Sequence, residues 1–265
     1  MTIKKEKSYG KLASESYGIW FPENPEGYED TAFYRQFIQD KGEPALELGC
    51  GDGRLLVPFV CEGLDVSGVD LSPHMLDICR AKAKAKGVSP HLYQQGMQAL
   101  DLPQKYKTVF IPYGSFMLVS DLNDAQATLK GAYQHLQKNG TLIIPLFLPY
   151  LHDIHIEAPQ ENIWRIRREG MRNQDGALVK CWEKAHYDFT QQLEIAEFRL
   201  EVFKDGELIE SDEENMRLRW YTQEQFREML AEAGFAQITC RKGYSALPAE
   251  EKDSEFTFIA KKLST

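Results

Sequence analysis

The 265-residue chain predicts an α/β fold, a doubly wound and mostly parallel seven-stranded sheet with an inserted antiparallel β-meander. Three observations carry this expectation. From Ala45 to Phe147, short apolar runs alternate with helical periods, the pattern of a parallel sheet covered on both faces. The first run ends in glycines at 49, 51 and 53 and the second ends in Asp70, the outline of a β-α-β unit with a ligand at its carboxyl edge. Between Trp164 and Tyr221 the period changes from helical to two, and the α/β pattern then resumes.

Residues 8–42 hold Tyr9, Tyr17, Trp20, Phe21, Tyr28, Phe33, Tyr34 and Phe37 with Pro22 and Pro25, which reads as helix, irregular loop, helix. The second helix, about Asp30 to Gln39, presents Phe33, Tyr34 and Phe37 on one face. Residues 1–42 are taken as a helical, aromatic lid segment, against the competing reading of a flap on the sheet, which aromatic spacing of this kind favours. Strands are expected at Ala45–Leu48, Leu64–Asp70, His91–Gln94, Thr108–Tyr113 and, after the Asn139-Gly140 turn, Thr141–Phe147. Helices fall at Gly53 to about Glu62, from the N-cap Ser72 to near Gly87, and at about Leu122 to Gln137.

Asp175-Gly176 and Asp205-Gly206 mark turns in the meander of about four strands. There, Ala196, Phe198, Leu200 and Val202 alternate with Glu197, Arg199 and Glu201. The acidic run Glu210 to Glu214 reads as a solvated strand end. Thr222 and Gln225 have capping-box spacing ahead of a helix with Phe226, Met229 and Leu230 inside, and strands near Gln237–Arg241 and Glu255–Ala260 follow. Residues 43–160 and 219–265 thus form the α/β domain, and residues 161–218 an inserted antiparallel cap.

Composition bounds the function. An apolar fraction of 43% and a charged fraction of 27% are those of an ordinary globular protein, so extended disorder is not expected. A formal net charge of -9 without any lysine-arginine run argues against a nucleic-acid partner and for a small molecule. No secretion signal is evident and no run of about 18 apolar residues occurs, so no membrane partner is expected. Cys50, Cys61, Cys79, Cys181 and Cys240 form no C-x-x-C pair, which favours reduced thiols and a cytoplasmic location over a disulfide framework or a metal site.

The glycines let backbone approach a ligand where a Cβ would collide. The dinucleotide fingerprint G-x-G-x-x-G fails, because its third glycine position is Arg54. With Glu47 the pattern becomes E-x-G-x-G-x-G, and Asp70 follows 21 residues after Gly49. The runs Glu47-Leu48-Gly49-Cys50-Gly51-Asp52-Gly53 and Gly68-Val69-Asp70-Leu71-Ser72-Pro73-His74-Met75-Leu76 resemble the class I S-adenosylmethionine-dependent methyltransferases, with their Rossmann-like fold. Weaker likeness extends over Met97–Pro103, Leu136–Leu142 and Arg219–Phe235, so the resemblance covers about residues 40–147 and 219–262.

The resemblance implies S-adenosylmethionine as cofactor. It places Gly49, Cys50 and Gly51 under its methionine part and ribose, Glu47 near its amino group, Asp70 on the ribose hydroxyls, Leu71 on the adenine with the Met97 backbone or a glutamine at the adenine edge, and Tyr113 beside the transferring methyl. A vicinal diol offers two donors and a carboxylate two acceptors, in keeping with Asp70. The chain departs from the family at Gly96, where an acid often holds the adenine amine and where Gln94 and Gln95 stand just before, and at Lys107, where an aspartate is common.

The methyl acceptor is expected after the fourth and fifth strands. Tyr113 stands there as wall or orienting hydroxyl, and the resemblance of Ile111-Pro112-Tyr113 to the N-P-P-Y of amino-group methyltransferases is limited to proline and tyrosine. His152 and His155 are candidate general bases, with a solvated loop as the alternative, and His186 is a further candidate if its face turns inward. Asp153 and Glu157 with these histidines match no metal signature, so no metal is expected. The reading is an enzyme moving a methyl group to nitrogen or oxygen of a small molecule, its insertion serving as a cap or a homodimer surface. A non-catalytic cofactor-binding or partner-binding module and a nucleic-acid methyltransferase are the alternatives.

Overall fold

The computed structural model describes residues 9–20, 29–152, 162–172 and 174–263. Two helices open it, α1 (Lys11–Trp20) and α2 (Glu29–Lys41). The α/β elements are β1 (Ala45–Leu48), α3 (Leu56–Cys61), β2 (Val66–Asp70), α4 (Pro73–Ala85), β3 (Leu92–Gln94), β4 (Tyr106–Phe110), α5 (Leu122–His135), β5 (Leu136–Phe147) and the short α6 (Pro149–His152). The antiparallel sheet is β6 (Arg165–Met171), β7 (Leu178–Asp188), β8 (Leu193–Lys204) and β9 (Glu207–Arg219), followed by α7 (Gln223–Glu232), β10 (Ala236–Lys242) and β11 (Glu255–Lys261).

The larger sheet has the order β10-β11-β5-β4-β1-β2-β3. β1 pairs in parallel with β2 on one side and β4 on the other, so the chain reverses its winding at β1, where open sheets bind ligands at the strands' carboxyl ends. Only β11 runs antiparallel, against β5 and β10. All four residues of β1 are buried, and alternation sends Leu46 and Leu48 into one apolar layer while Ala45 joins the other. That second layer receives Tyr34, Phe37 and Ile38 from α2, so the aromatic face of this helix covers the sheet. By contrast, α1 packs Leu12 and Ala13 against Val179, Leu200 and Val202 of the smaller sheet and Ala177 just before β7.

Several elements differ from the sequence expectation, among them β4, which runs Tyr106–Phe110 and stops short of Tyr113. α3 starts at Leu56, because Gly49, Gly51 and Gly53 all take positive φ and hold the chain out of a helix until beyond them. β5 begins at Leu136, and Asn139-Gly140 lies inside it as an irregularity at which the pairing with β4 shifts register. The acidic run Glu210–Glu214 lies in the first half of β9, where Glu210 and Glu213 are exposed as expected of a solvated end, but alternation turns Glu214 inward, 8% exposed. Ser72 caps α4 through the Met75 N–H, and Thr222 with Gln225 forms the capping box of α7.

Candidate functional site

The carboxyl ends of β1 and β4, the end of β5, α1 and the inner face of the meander enclose a cavity of about 510 Å³. Its floor is the glycine turn. Gly51 has φ +53° and none of the described residues stands within 4 Å of the position its Cβ would take, whereas a Cβ on Gly53 (φ +83°) would come within 2.6 Å of Cys79 Sγ. Gly51 is therefore a backbone cradle facing open space, and Gly53 is a packing glycine. Cys50 is buried, its thiol turned toward Gly68 of β2, so only its backbone is offered to a ligand.

Asp70 closes β2 beside this turn. Its Oδ2 accepts from Gly51 N–H and its Oδ1 from Ser72 N–H, both at 2.8 Å, which aims the carboxylate and leaves each oxygen a further lone pair. Burial raises its pKa while these N–H groups oppose the rise. Glu47 is only 2% exposed, and among the described residues its Oε2 has no hydrogen-bond partner. Burial pushes its carboxyl well above the ordinary range, against the pull of Arg54. Arg54 in turn forms a two-pronged pair with Asp30 at 2.9 and 2.5 Å and lies 5.6 Å from the Tyr113 ring centroid.

Tyr113 has a left-handed φ of +57°, is followed by Gly114 at +71°, and is 50% exposed on the cavity wall. A non-glycine residue held in this region marks a conformation that its surroundings impose. Leu71 is 68% exposed just outside the cavity, and Met97 packs its end toward Gly49. The Gln95 side chain exchanges two hydrogen bonds with the Asp101 backbone. His152 ends α6, while His155, Asp153 and Glu157 lie outside the described residues. His186 is corrected by the register of β7. Cys181 and Tyr187 line the cavity, and the period of two sends His186 to the opposite face.

Several lining residues escaped the sequence reading. Glu194 (6% exposed) and Glu214 reach the cavity from the meander, as do Arg167 and Arg168. Tyr9 and Tyr17 reach it from the amino-terminal side, with ring centroids 5.9 Å apart. Burial, with Asp70, Glu214 and Tyr113 nearby, pushes the Tyr9 hydroxyl up to about 12. The aromatic composition of residues 8–42 was the available signal for the tyrosines, and period-two alternation could have turned Glu194 and Glu214 inward. Among the described residues no group of three or more His, Cys, Asp or Glu is arranged to hold a metal ion. No helix among them is long and apolar enough to cross a membrane.

An orphaned buried carboxylate oxygen, a glycine cradle and an aimed carboxylate fit the amino group, the chain and the sugar diol of S-adenosylmethionine. Fold and site thus define a Rossmann-like enzyme that binds a nucleoside cofactor at the switch point of its sheet. Residues 45–140 match the family model described as a methyltransferase domain. A putative methyltransferase of Geobacillus sp. (strain WCH70) is 26% identical over 261 residues, covering 95% of this chain and all of that one.

Among solved structures, an S-adenosylmethionine-dependent methyltransferase from Clostridium acetobutylicum matches with a TM-score of 0.75 at 19% identity, over 97% of this chain and 100% of that one. The sugar N-methyltransferase KedS8 from Streptoalloteichus sp. matches with a TM-score of 0.71 at 18% identity, over 100% and 99%. The chain thus carries a methyltransferase domain over residues 45–140 and is similar along nearly its whole length to S-adenosylmethionine-dependent methyltransferases.

Proposed function

We propose that the enzyme transfers the methyl group to nitrogen or oxygen of a small molecule held between the glycine turn and the inner face of the meander. The observation that carries this reading is a cavity bounded by both. Its acids, Asp30, Glu47, Asp52, Glu194, Glu214 and Glu255, outnumber its arginines, Arg54, Arg167 and Arg168, a lining ill-suited to a phosphate backbone.

Asp70 accepts the ribose hydroxyls, the backbone at Gly49, Cys50 and Gly51 runs beneath the chain joining sugar and amino acid, and Glu47 faces the amino group. Leu71 flanks the adenine, and because the Gln95 amide is turned to the Asp101 backbone, the adenine edge falls to the backbone at Met97 or to Gln94. The cofactor supplies a methyl group on a positively charged sulfur, open to in-line displacement. The protein's part is to align acceptor and donor and to exclude water, and it takes a proton only where the acceptor carries one that must leave. Tyr113 is the orienting hydroxyl on the wall, and His152 or His155 is the base if one is needed.

Mass spectrometry of the purified chain for bound S-adenosylmethionine or its demethylated product tests the cofactor assignment. A radiolabelled methyl-acceptor screen over amines, hydroxylated small molecules and RNA tests the acceptor class. Label appearing only in RNA would overturn the small-molecule reading.

A further inference from the structure

The two residues that precede α1 are tied to both sheets. Glu214 of β9 accepts the backbone N–H of Tyr9 on Oε2 at 3.0 Å and that of Gly10 on Oε1 at 2.6 Å. The Tyr9 carbonyl accepts the hydroxyls of Ser72 at 2.9 Å and Ser14 at 3.0 Å. Ser72 is the residue whose own N–H holds Asp70, so the strap is fixed on one side to the meander and on the other to the turn that carries Asp70. Tyr9 itself sits at a left-handed φ of +56°, a backbone that surrounding contacts must hold. Its side chain lines the cavity together with Gly51 and Tyr113.

Glu214 is out of place as a surface acid. It is 8% exposed and directly opposite Phe198 on the inner face of the meander, where a carboxylate withdrawn from water needs donors. It takes them from a segment more than 200 positions earlier in the chain, and ionised acceptors make the stronger hydrogen bonds. Behind the strap, α1 is packed on the same meander, so the carboxylate fastens the start of an element already seated there.

We propose that Glu214 is a positioning residue that latches the Tyr9–Gly10 strap across the cofactor end of the cavity, so that cofactor and demethylated product exchange only when the latch releases. This rests on the reading of Gly51 and Asp70 as the cofactor's seat. An acceptor lying on the inner face of the meander beside Glu214 then also lies beside the device that retains the cofactor, and release is delayed while both are held.

The test binds methyl-labelled S-adenosylmethionine to the full chain and chases it with excess S-adenosylhomocysteine. Glu214→Ala is expected to release label about tenfold faster than the wild type, and Glu214→Gln, which keeps one accepting oxygen, falls between them. Hydrogen exchange over residues 9–20 is expected to rise in both variants while β1 and β2 keep their protection, a split that general loss of stability would not give. Should Glu214→Ala fail to fold, Glu214→Gln carries the same comparison. Release within twofold of the wild type, with exchange over 9–20 unchanged, overturns the latch alone. A wild-type chain that binds no S-adenosylmethionine overturns the cofactor reading and the latch with it.

Discussion

Glu47 carries opposed demands on stability and binding. Its carboxyl is held well above the ordinary range by burial, so the folded chain binds that proton more tightly than the unfolded one. The associated stability is fully present below the ordinary carboxylate pKa and is lost as pH rises toward the raised folded-state value. Glu47→Gln removes the group, so the unliganded variant is expected to melt above the wild type by about 1 kcal/mol near pH 8, with a smaller gap near pH 5. Thermal melts of both proteins at the two pH values check this, and a gap that shrinks with rising pH would contradict it. The same variant should bind S-adenosylmethionine more weakly, since it lacks the charge facing the amino group. Asp70→Ala should weaken binding of the demethylated product by about 1.5–3 kcal/mol in calorimetry, and unchanged affinity would end its assignment to the diol. Both acids were legible in the sequence because each occupies a fixed offset from the glycines. Glu214 was only half legible: alternation with Met216 and Leu218 places it on the inner face, but its partner at Tyr9, more than 200 positions away, is not revealed by any local pattern.

The turn between β1 and α3 shows how neighbouring glycines do different work. Gly53→Ala would combine a left-handed φ with overlap against Cys79 and Val57, and is expected to cost about 3 kcal/mol of stability. Gly51→Ala meets no atom within 4 Å, so the backbone alone should cost about 1–2 kcal/mol. Its methyl group would instead enter the cavity and obstruct the cofactor. Denaturant melts beside binding titrations separate the two: the first variant loses mainly stability, the second mainly affinity. Equal losses of stability would refute the division. The alternation of strand and helix, the Ser72 cap, the Thr222 capping box and the meander all followed from periodicity and turn chemistry, which are local. The start of β5 at Leu136 did not, because an Asn-Gly pair ordinarily marks a turn and here bulges a strand that already pairs with β4.

Across the whole molecule, the cavity wall draws on two sheets: Tyr187 and Leu218 of the meander share an apolar layer with Leu46, Leu48 and Leu146 of the α/β sheet, while α1 and the Glu214 contacts tie the amino-terminal segment to the meander. A ligand that seats only on the glycine turn would protect the α/β sheet and leave the meander as it was. A ligand that also lies under the strap raises the free energy of opening for every element that closes on it. At about 100 times its dissociation constant, S-adenosylhomocysteine should add about 2.7 kcal/mol to stability by mass action. In hydrogen exchange, that gain is expected to spread beyond β1 and β2 into α1 and the inward residues of β9, because Tyr9 joins Ser72 to Glu214. In Glu214→Ala the protection should stay in the α/β sheet, with α1 and β9 exchanging as they do without ligand. If the wild type also confines protection to that sheet, the cofactor end and the meander are energetically independent, and the amino-terminal segment is packing on the meander with no part in holding the cofactor.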